Sequence, residues 1–209
     1  MTAYTAPLKD MAFVLNRVLD LKGVSSLPGY EAAEPALVEQ ILEEANRLAR
    51  DVLAPLNAPG DRAGSRIENG VVRTPDGFRQ AYGQFTQGGW NGVPFDPDYG
   101  GQGLPHYLNL AFNEMVTATN MAFGMYPGLT GGAAQALTHG GSDEQKRLYL
   151  PKMISGEWSG TMNLTEPHCG TDLGMLRTKA VPNGDGTYKI SGQKIWISAG
   201  EHPMSQNII

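Results

Sequence analysis

The chain has 209 residues, with 16 Lys and Arg against 21 Asp and Glu, a formal charge of −5. With 41% hydrophobic and 18% charged residues it reads as a globular protein and not a disordered one. The acidic balance argues against a general nucleic-acid grip, and no apolar run approaches the ~20 residues of a membrane span.

The first predicted element is a helix from Lys9 to Leu21, carried by Met11, Phe13, Val14, Leu15, Val18 and Leu19 and ended by Gly23. Asp10 and Asp20 bracket its apolar run and no small-residue cleavage site follows, so it does not read as a signal peptide. A second helix spans Glu34 to Leu53, with Val38, Ile41, Leu42, Ala45 and Leu48 on one face, Pro35 in its first turn and Pro55 as its stop. Ala58 to Pro75 reads as turn-rich, with a small hairpin around Asn69-Gly70. Phe78, Tyr82 and Phe85 mark a short helix, and Gly88 to Pro105 an irregular loop. Helical spacing resumes from Tyr107 to Ala118. Phe123 to Leu137, rich in Gly128, Gly131, Gly132, Ala133 and Ala134, allows either close helix packing, the commoner reading, or room for a ligand's apolar tail. Ser142 and Gln145 form a capping box, and the helix they start should end at Leu150, before Pro151.

After Gly156 the pattern changes to short strands: Trp158 to Leu164, Arg177 to Val181, Tyr188 to Ile190 and Lys194 to Ser198, with a turn at Asn183 to Gly186. Helices followed by strands give an α+β protein. The expected domains are residues 1–33, an extension; 34–156, a helical domain; and 157–209, the first part of a β-domain.

Several chemistries find no support. One cysteine, Cys169, and four scattered histidines make no zinc spacing, and a lone cysteine fits a reducing compartment, the cytoplasm. Nucleophile-elbow, P-loop and dinucleotide-binding motifs are missing. The loop from Asp96 to Gly101 begins like a calcium loop but puts Tyr107 where Glu is required. No metal site is expected.

Two segments carry the chemistry that remains. Met162-Asn163-Leu164-Thr165-Glu166-Pro167-His168-Cys169-Gly170-Thr171-Asp172 leaves a strand and turns, offering hydroxyls and flexible backbone. Ile190 to Gly200 holds Trp196 and Ser198 two residues apart, so on a strand they would face one pocket. An indole face with neighbouring hydroxyls and N–H groups suits a flat heteroaromatic ligand. On spacing alone, a buried Trp packing two sheets, with a Ser that merely ends the strand, is the commoner outcome.

Together these two segments resemble the flavin-binding signatures of acyl-CoA dehydrogenases. Gly89-Trp90 through Gly100-Gly101-Gln102-Gly103 resembles the family's Gly-Gly-x-Gly loop, and Gly140 to Pro151 its helix ending in Tyr-Leu-Pro. Tyr4 to Leu15 is similar to the N-terminal extension of a larger subgroup that includes the 3-methylthiopropanoyl-CoA dehydrogenases.

The resemblance implies an N-terminal all-α domain, then the first part of a β-barrel or sandwich domain, with the C-terminal helical bundle absent. It implies FAD as cofactor and an acyl-CoA substrate, dehydrogenated to a trans-2-enoyl-CoA with hydride passing to flavin N5. Thr165, Leu164, Trp196, Ile197, Ser198 and Gly170 would lie at the flavin. Met162 replaces the family's frequent Tyr or Phe there, and Thr171 would meet both FAD and the CoA part of the substrate. It further implies an electron-transfer flavoprotein as acceptor and a homo-oligomer in the full-length form. The family's catalytic Glu belongs to the C-terminal bundle, so no catalytic residue is nominated, and Glu166 belongs to the loop. Asn207-Ile208-Ile209 reads as the opening of a further strand, so the chain reads as part of a longer protein. A non-catalytic fragment, or an oxidase or monooxygenase on the same fold, are the alternatives.

Overall fold

A computed structural model describes residues 4–209. Helices, interrupted by one small hairpin, occupy the chain as far as Ile154, and short strands follow.

The N-terminal stretch is not one helix. Helix α1 (Leu8–Phe13) runs into a π-helical turn, Val14–Val18, and the chain breaks at Asp20, which has left-handed backbone (φ 48°). Helix α2 (Leu21–Ser25) then restarts, with Gly23 inside it. The Asp20 side chain accepts from Gly23 N–H at 3.3 Å. A Cβ at 23 would lie 2.3 Å from that carboxylate, so Gly23 makes room for the cap and does not end the helix.

Helix α3 (Pro35–Arg47) buries Val38, Leu42 and Ala45. Pro55 was expected to stop it. Instead a π turn, Leu48–Leu53, leads straight into α4 (Ala54–Ala63), which also contains Pro59. The wide turn, in which Ala54 N–H bonds Ala49 C=O, stands where Pro55 cannot make the normal bond. Buried Ala49 and Leu53 hold this turn against the core. The Asn69-Gly70 hairpin is as expected: β1 (Arg66–Glu68) pairs antiparallel with β2 (Val71–Arg73), with φ of 53° and 77° at the two turn residues.

Helix α5 (Phe78–Gln87) buries Phe78, Tyr82 and Phe85. The loop after it folds back so that Trp90 stacks on Phe112 at 4.3 Å between centroids. Phe85 lies 5.6 Å from Phe112 and 5.9 Å from Phe123, which closes an aromatic core. Helix α6 (His106–Gly140) supplies both phenylalanines and is bent at Asn120 (φ −158°, ψ 82°). The bend separates the two helical segments read from the sequence. Asn120 is buried and satisfies both ends of its amide: Oδ1 accepts from Phe123 N–H at 3.0 Å, and Nδ2 donates to Leu53 C=O at 3.3 Å.

The Ser142–Gln145 capping box opens α7 (Asp143–Ile154) as expected. The helix continues past Pro151 because Leu150, Met153 and Ile154 are all buried, and that burial outweighs one lost backbone bond.

Beyond Gly156 the strand expected from Trp158 to Leu164 is cut to two residues, the one expected from Arg177 to Val181 is shifted to Lys179–Pro182, and the one at Tyr188 forms as expected with one residue more. Strand β3 (Trp158–Ser159) pairs in parallel with β6 (Asn207–Ile208), and β4 (Lys179–Pro182) pairs antiparallel with β5 (Tyr188–Ser191). The Lys194–Ser198 strand is not formed: its one ladder contact is a bridge from Ser198 to Met162. A strand needs neighbours on its edges to persist, and this segment has one, touching at isolated points. Among the described residues no helix is long and apolar enough to cross a membrane.

Asn120→Ala removes the cap of the second half of α6 and the buried side-chain bond to Leu53 C=O. Urea denaturation is expected to show a loss of about 1–3 kcal/mol, and Asn120→Asp, which keeps the acceptor but sets a buried carboxylate against Leu53 C=O, at least as large a one.

Candidate functional site

The two motif segments come together. Ile195 N–H donates to Thr165 C=O at 3.1 Å, and Met162 bridges Ser198. The Thr161 hydroxyl also bonds Ser198 C=O. A Cβ built on Gly170 would lie 3.8 Å from the Thr165 side chain, so the loop returns beside it, and exposed Thr171 follows.

Trp196 and Ser198 do not share a strand face as expected. Trp196 has left-handed backbone (φ 58°), which for a bulky residue is strained, and it is 82% exposed. Met162, Leu164 and Ile197 around this region are also exposed apolar residues. The residues of this segment that line a cavity are Ile197, Ala199 and Gly200. They border a cleft of about 710 Å³ shared with Thr161, Asn163, Glu201, Val72 and Tyr126. Thr161 and Asn163 face that cleft, whereas Met162 and Leu164 alternate with them along the chain. One wall of the cleft is tied across: Val72 N–H of the hairpin donates to the Glu201 carboxylate at 3.2 Å.

The segments are held from behind by Glu166, which is 2% exposed. Its carboxylate accepts from Arg177 N–H at 2.8 Å, Thr178 N–H at 3.0 Å and Lys194 Nζ at 2.9 Å. The adjacent Thr178 hydroxyl, the Arg177 amide and the Lys194 ammonium hold this carboxyl far below the usual carboxylate range. So stabilised an anion is a poor proton acceptor. Lys194 also donates to Leu164 C=O at 2.9 Å. His168 and Cys169 bring a second and third potential metal-ligand atom to Glu166, all within 4.8 Å. The carboxylate oxygens are already taken by N–H donors and an ammonium, and His168 Nε2 lies 2.9 Å from Met175 C=O. A cation there would face Lys194.

A second polar set joins the strands to the helices. His202 Nδ1 accepts from Met204 N–H at 3.3 Å, which puts the ring proton on Nε2, 3.0 Å from the Ser159 hydroxyl. Ser159 meets the Ser205 hydroxyl at 2.9 Å, and Ser205 donates to Asn207 C=O at 3.0 Å. The His202 ring packs edge-on against Tyr126 at 5.0 Å, and burial pushes its pKa down. Nearby, Gly160 N–H donates to Thr130 Oγ1 at 3.1 Å, and a Cβ on Gly160 would sit 2.6 Å from that of Ala133. Only glycine permits this approach.

The glycines of α6 do not serve close packing throughout. A Cβ at Gly128, Gly131 or Gly132 would meet nothing within 4 Å. All three line a cavity of about 250 Å³, with Trp90, Phe95 and Asn109 among the other walls.

Sequence reasoning singled out neither Lys194 nor His202 as functional. Lys194 stands 28 residues from Glu166, and no periodicity relates the two. A polar residue in an otherwise apolar strand-like run was the available signal.

The profile of the acyl-CoA dehydrogenase N-terminal domain matches residues 37–157. The chain is 45% identical over 206 residues to 3-methylmercaptopropionyl-CoA dehydrogenase of Ruegeria pomeroyi, covering 99% of this chain and 35% of that protein. The structure resembles butyryl-CoA dehydrogenase from Megasphaera elsdenii, with a TM-score of 0.66 and 25% identity over 78% of this chain and 41% of that one. It also shares its fold with a Bacillus anthracis acyl-CoA dehydrogenase complexed with FAD (TM-score 0.64, 24% identity, 78% of this chain and 26% of that one). The chain spans about a third of the length of the curated relatives it matches over nearly all of its own.

His202 titrates near pH 6.5 when exposed and lower when buried. Between the two values the unfolded chain binds more protons, so stability is full above about pH 6.5 and falls as pH drops toward the folded value. The Glu166 contribution is lost only in a more acid range, below its ordinary 4.5. Denaturation from about pH 7.5 down to about pH 5 is expected to show a decline that His202→Asn flattens.

Proposed function

We propose, on the premise that the chain belongs to the acyl-CoA dehydrogenase family, that it supplies the helical part and one side of the FAD site of an enzyme that dehydrogenates acyl-CoA thioesters between Cα and Cβ. Residues 1–33 form an extension, 34–156 the helical domain and 157–209 part of the β-domain. The observation that carries this reading is the pairing of the Thr165 and Trp196 segments, with strained Trp196 held 82% exposed among other uncovered apolar side chains.

Those residues fit a flavin. Strain at an exposed bulky residue points to a ligand that uses the conformation. Trp196 would stack on a planar ring system, with Met162, Leu164 and Ile197 beside it. Hydroxyls of Thr165 and Ser198 and the backbone around Gly170 would hydrogen-bond its polar edge. Thr171 would contact both FAD and the CoA portion of the substrate. Bound FAD supplies the acceptor for the Cβ hydride.

No residue of the chain is assigned as the base that removes the Cα proton. The donors that already surround Glu166 argue against it in that role. The cavity bordered by Gly128, Gly131 and Gly132 offers room for an acyl tail beside Phe85, Trp90 and Phe95. An electron-transfer flavoprotein is the proposed electron acceptor, the full-length protein a homo-oligomer, and the cytoplasm its location.

The test is expression from the complete gene. Purified protein is expected to carry FAD, to lose flavin absorbance when an acyl-CoA is added without oxygen, and to pass electrons to an electron-transfer flavoprotein faster than to oxygen. Thr165→Ala is expected to weaken FAD binding by about tenfold. A well-folded protein with no affinity for FAD defeats the reading, and preferential oxygen turnover replaces it with an oxidase.

A further inference from the structure

Three consecutive residues of the first motif are gripped by two consecutive residues of the second. Lys194 Nζ donates to Leu164 C=O at 2.9 Å and to Glu166 Oε1 at 2.9 Å, and Ile195 N–H takes the Thr165 carbonyl between them. The ammonium therefore spans Thr165 from both flanks. The next residue is Trp196, in left-handed backbone. On its far side Ser198 is tied to Thr161 and Met162. Glu166 fixes the lysine in turn, because its carboxylate is buried and anchored to the Arg177 and Thr178 amides.

We propose that Lys194, held by Glu166, is a positioning residue: its ammonium sets the register between the Thr165 and Trp196 segments and thereby the geometry of the flavin-facing surface. The proposal rests on the FAD reading given above.

A surface ion pair would do little of this, since two solvated side chains tolerate many geometries. Here one partner is 2% exposed and the other 22% exposed at the side chain, and the lysine divides its donors between a carboxylate and a main-chain carbonyl. That arrangement fixes direction as well as distance. A charged group that specifies register is the best-attested use of a buried ion pair. Without the ammonium, the two segments keep one backbone hydrogen bond at Ile195 and, beyond Trp196, the ties of Ser198 to Met162 and Thr161, which leave Thr165 without a clamp on either flank.

The experiment compares the complete protein with Lys194→Met, Lys194→Arg and, as a control for general destabilisation, Leu42→Ala in the helical core. FAD affinity, the visible spectrum of bound FAD and amide hydrogen exchange are read for each. Lys194→Met is expected to weaken FAD binding by roughly 10–100-fold, to shift the flavin absorption band, and to speed exchange at Ile195, Arg177 and Thr178. Lys194→Arg, which keeps charge and donors, should recover most of the affinity. Leu42→Ala should lower stability with the flavin spectrum unchanged. Should Lys194→Met fold poorly, Lys194→Gln is expected to show a smaller loss in the same direction.

Affinity and spectrum within twofold of wild type in Lys194→Met would overturn the proposal, as would an equal effect of Leu42→Ala. Exchange at Ile195, Arg177 and Thr178 is read without cofactor, which separates the two claims. Wild type that binds no FAD defeats the functional reading, whereas unchanged exchange in Lys194→Met defeats the positioning role.

Discussion

A buried carboxylate has to be satisfied, and much of the site follows from how Glu166 is. Leaving an anion 2% exposed without partners would cost more than the local fold is worth. The chain meets that demand with two backbone amides from residues 177 and 178 and an ammonium from residue 194. Three stretches of chain that are separate in sequence are thereby drawn to one point. The turn closed by the mutual Glu166–Cys169 backbone bonds keeps the loop compact on its own side. The motif residues stand on the outer surface of this knot, and Trp196 keeps its unusual backbone there.

The knot is in turn seated on the helices. Gly160 brings the chain against α6, His202 packs on Tyr126, and Tyr82 donates to Gly156 C=O at 3.2 Å. Each contact joins a residue after the helices to one within them. The aromatic core around Phe112 and Phe123 makes α6 rigid enough to serve as that seat. The polar chain from Met204 N–H through His202, Ser159 and Ser205 to Asn207 C=O runs in one donor direction, so no buried group in it is left unpaired.

What could be read from the sequence was local. Asn69-Gly70 demands left-handed backbone, and the structure puts both residues there. Ser142 and Gln145 satisfy each other's backbone whatever lies around them. Pro55 and Pro151 misled for the opposite reason: burial of Leu53 and of Met153 decided those helices, and burial is a property of the whole fold. Strands fared worst. Lys194 to Ser198 has strand-like residues, yet a strand exists only where another lies beside it, and single residues, not ladders, meet here. The two motif segments were legible as motifs, but what holds them together was not. Twenty-eight residues separate Glu166 from Lys194, and either one alone looks like an ordinary surface charge.

The glycines facing the α6 cavity have a consequence of another kind. A glycine inside a helix is about 1 kcal/mol less favourable than alanine. At Gly128, Gly131 and Gly132 an alanine would touch nothing within 4 Å. Sterics therefore do not require these three glycines, and helix propensity speaks against each of them. The helix forgoes roughly 3 kcal/mol in all and retains vacant space in its place. The volume of that space can be graded one methyl group at a time, with each step making the helix stronger.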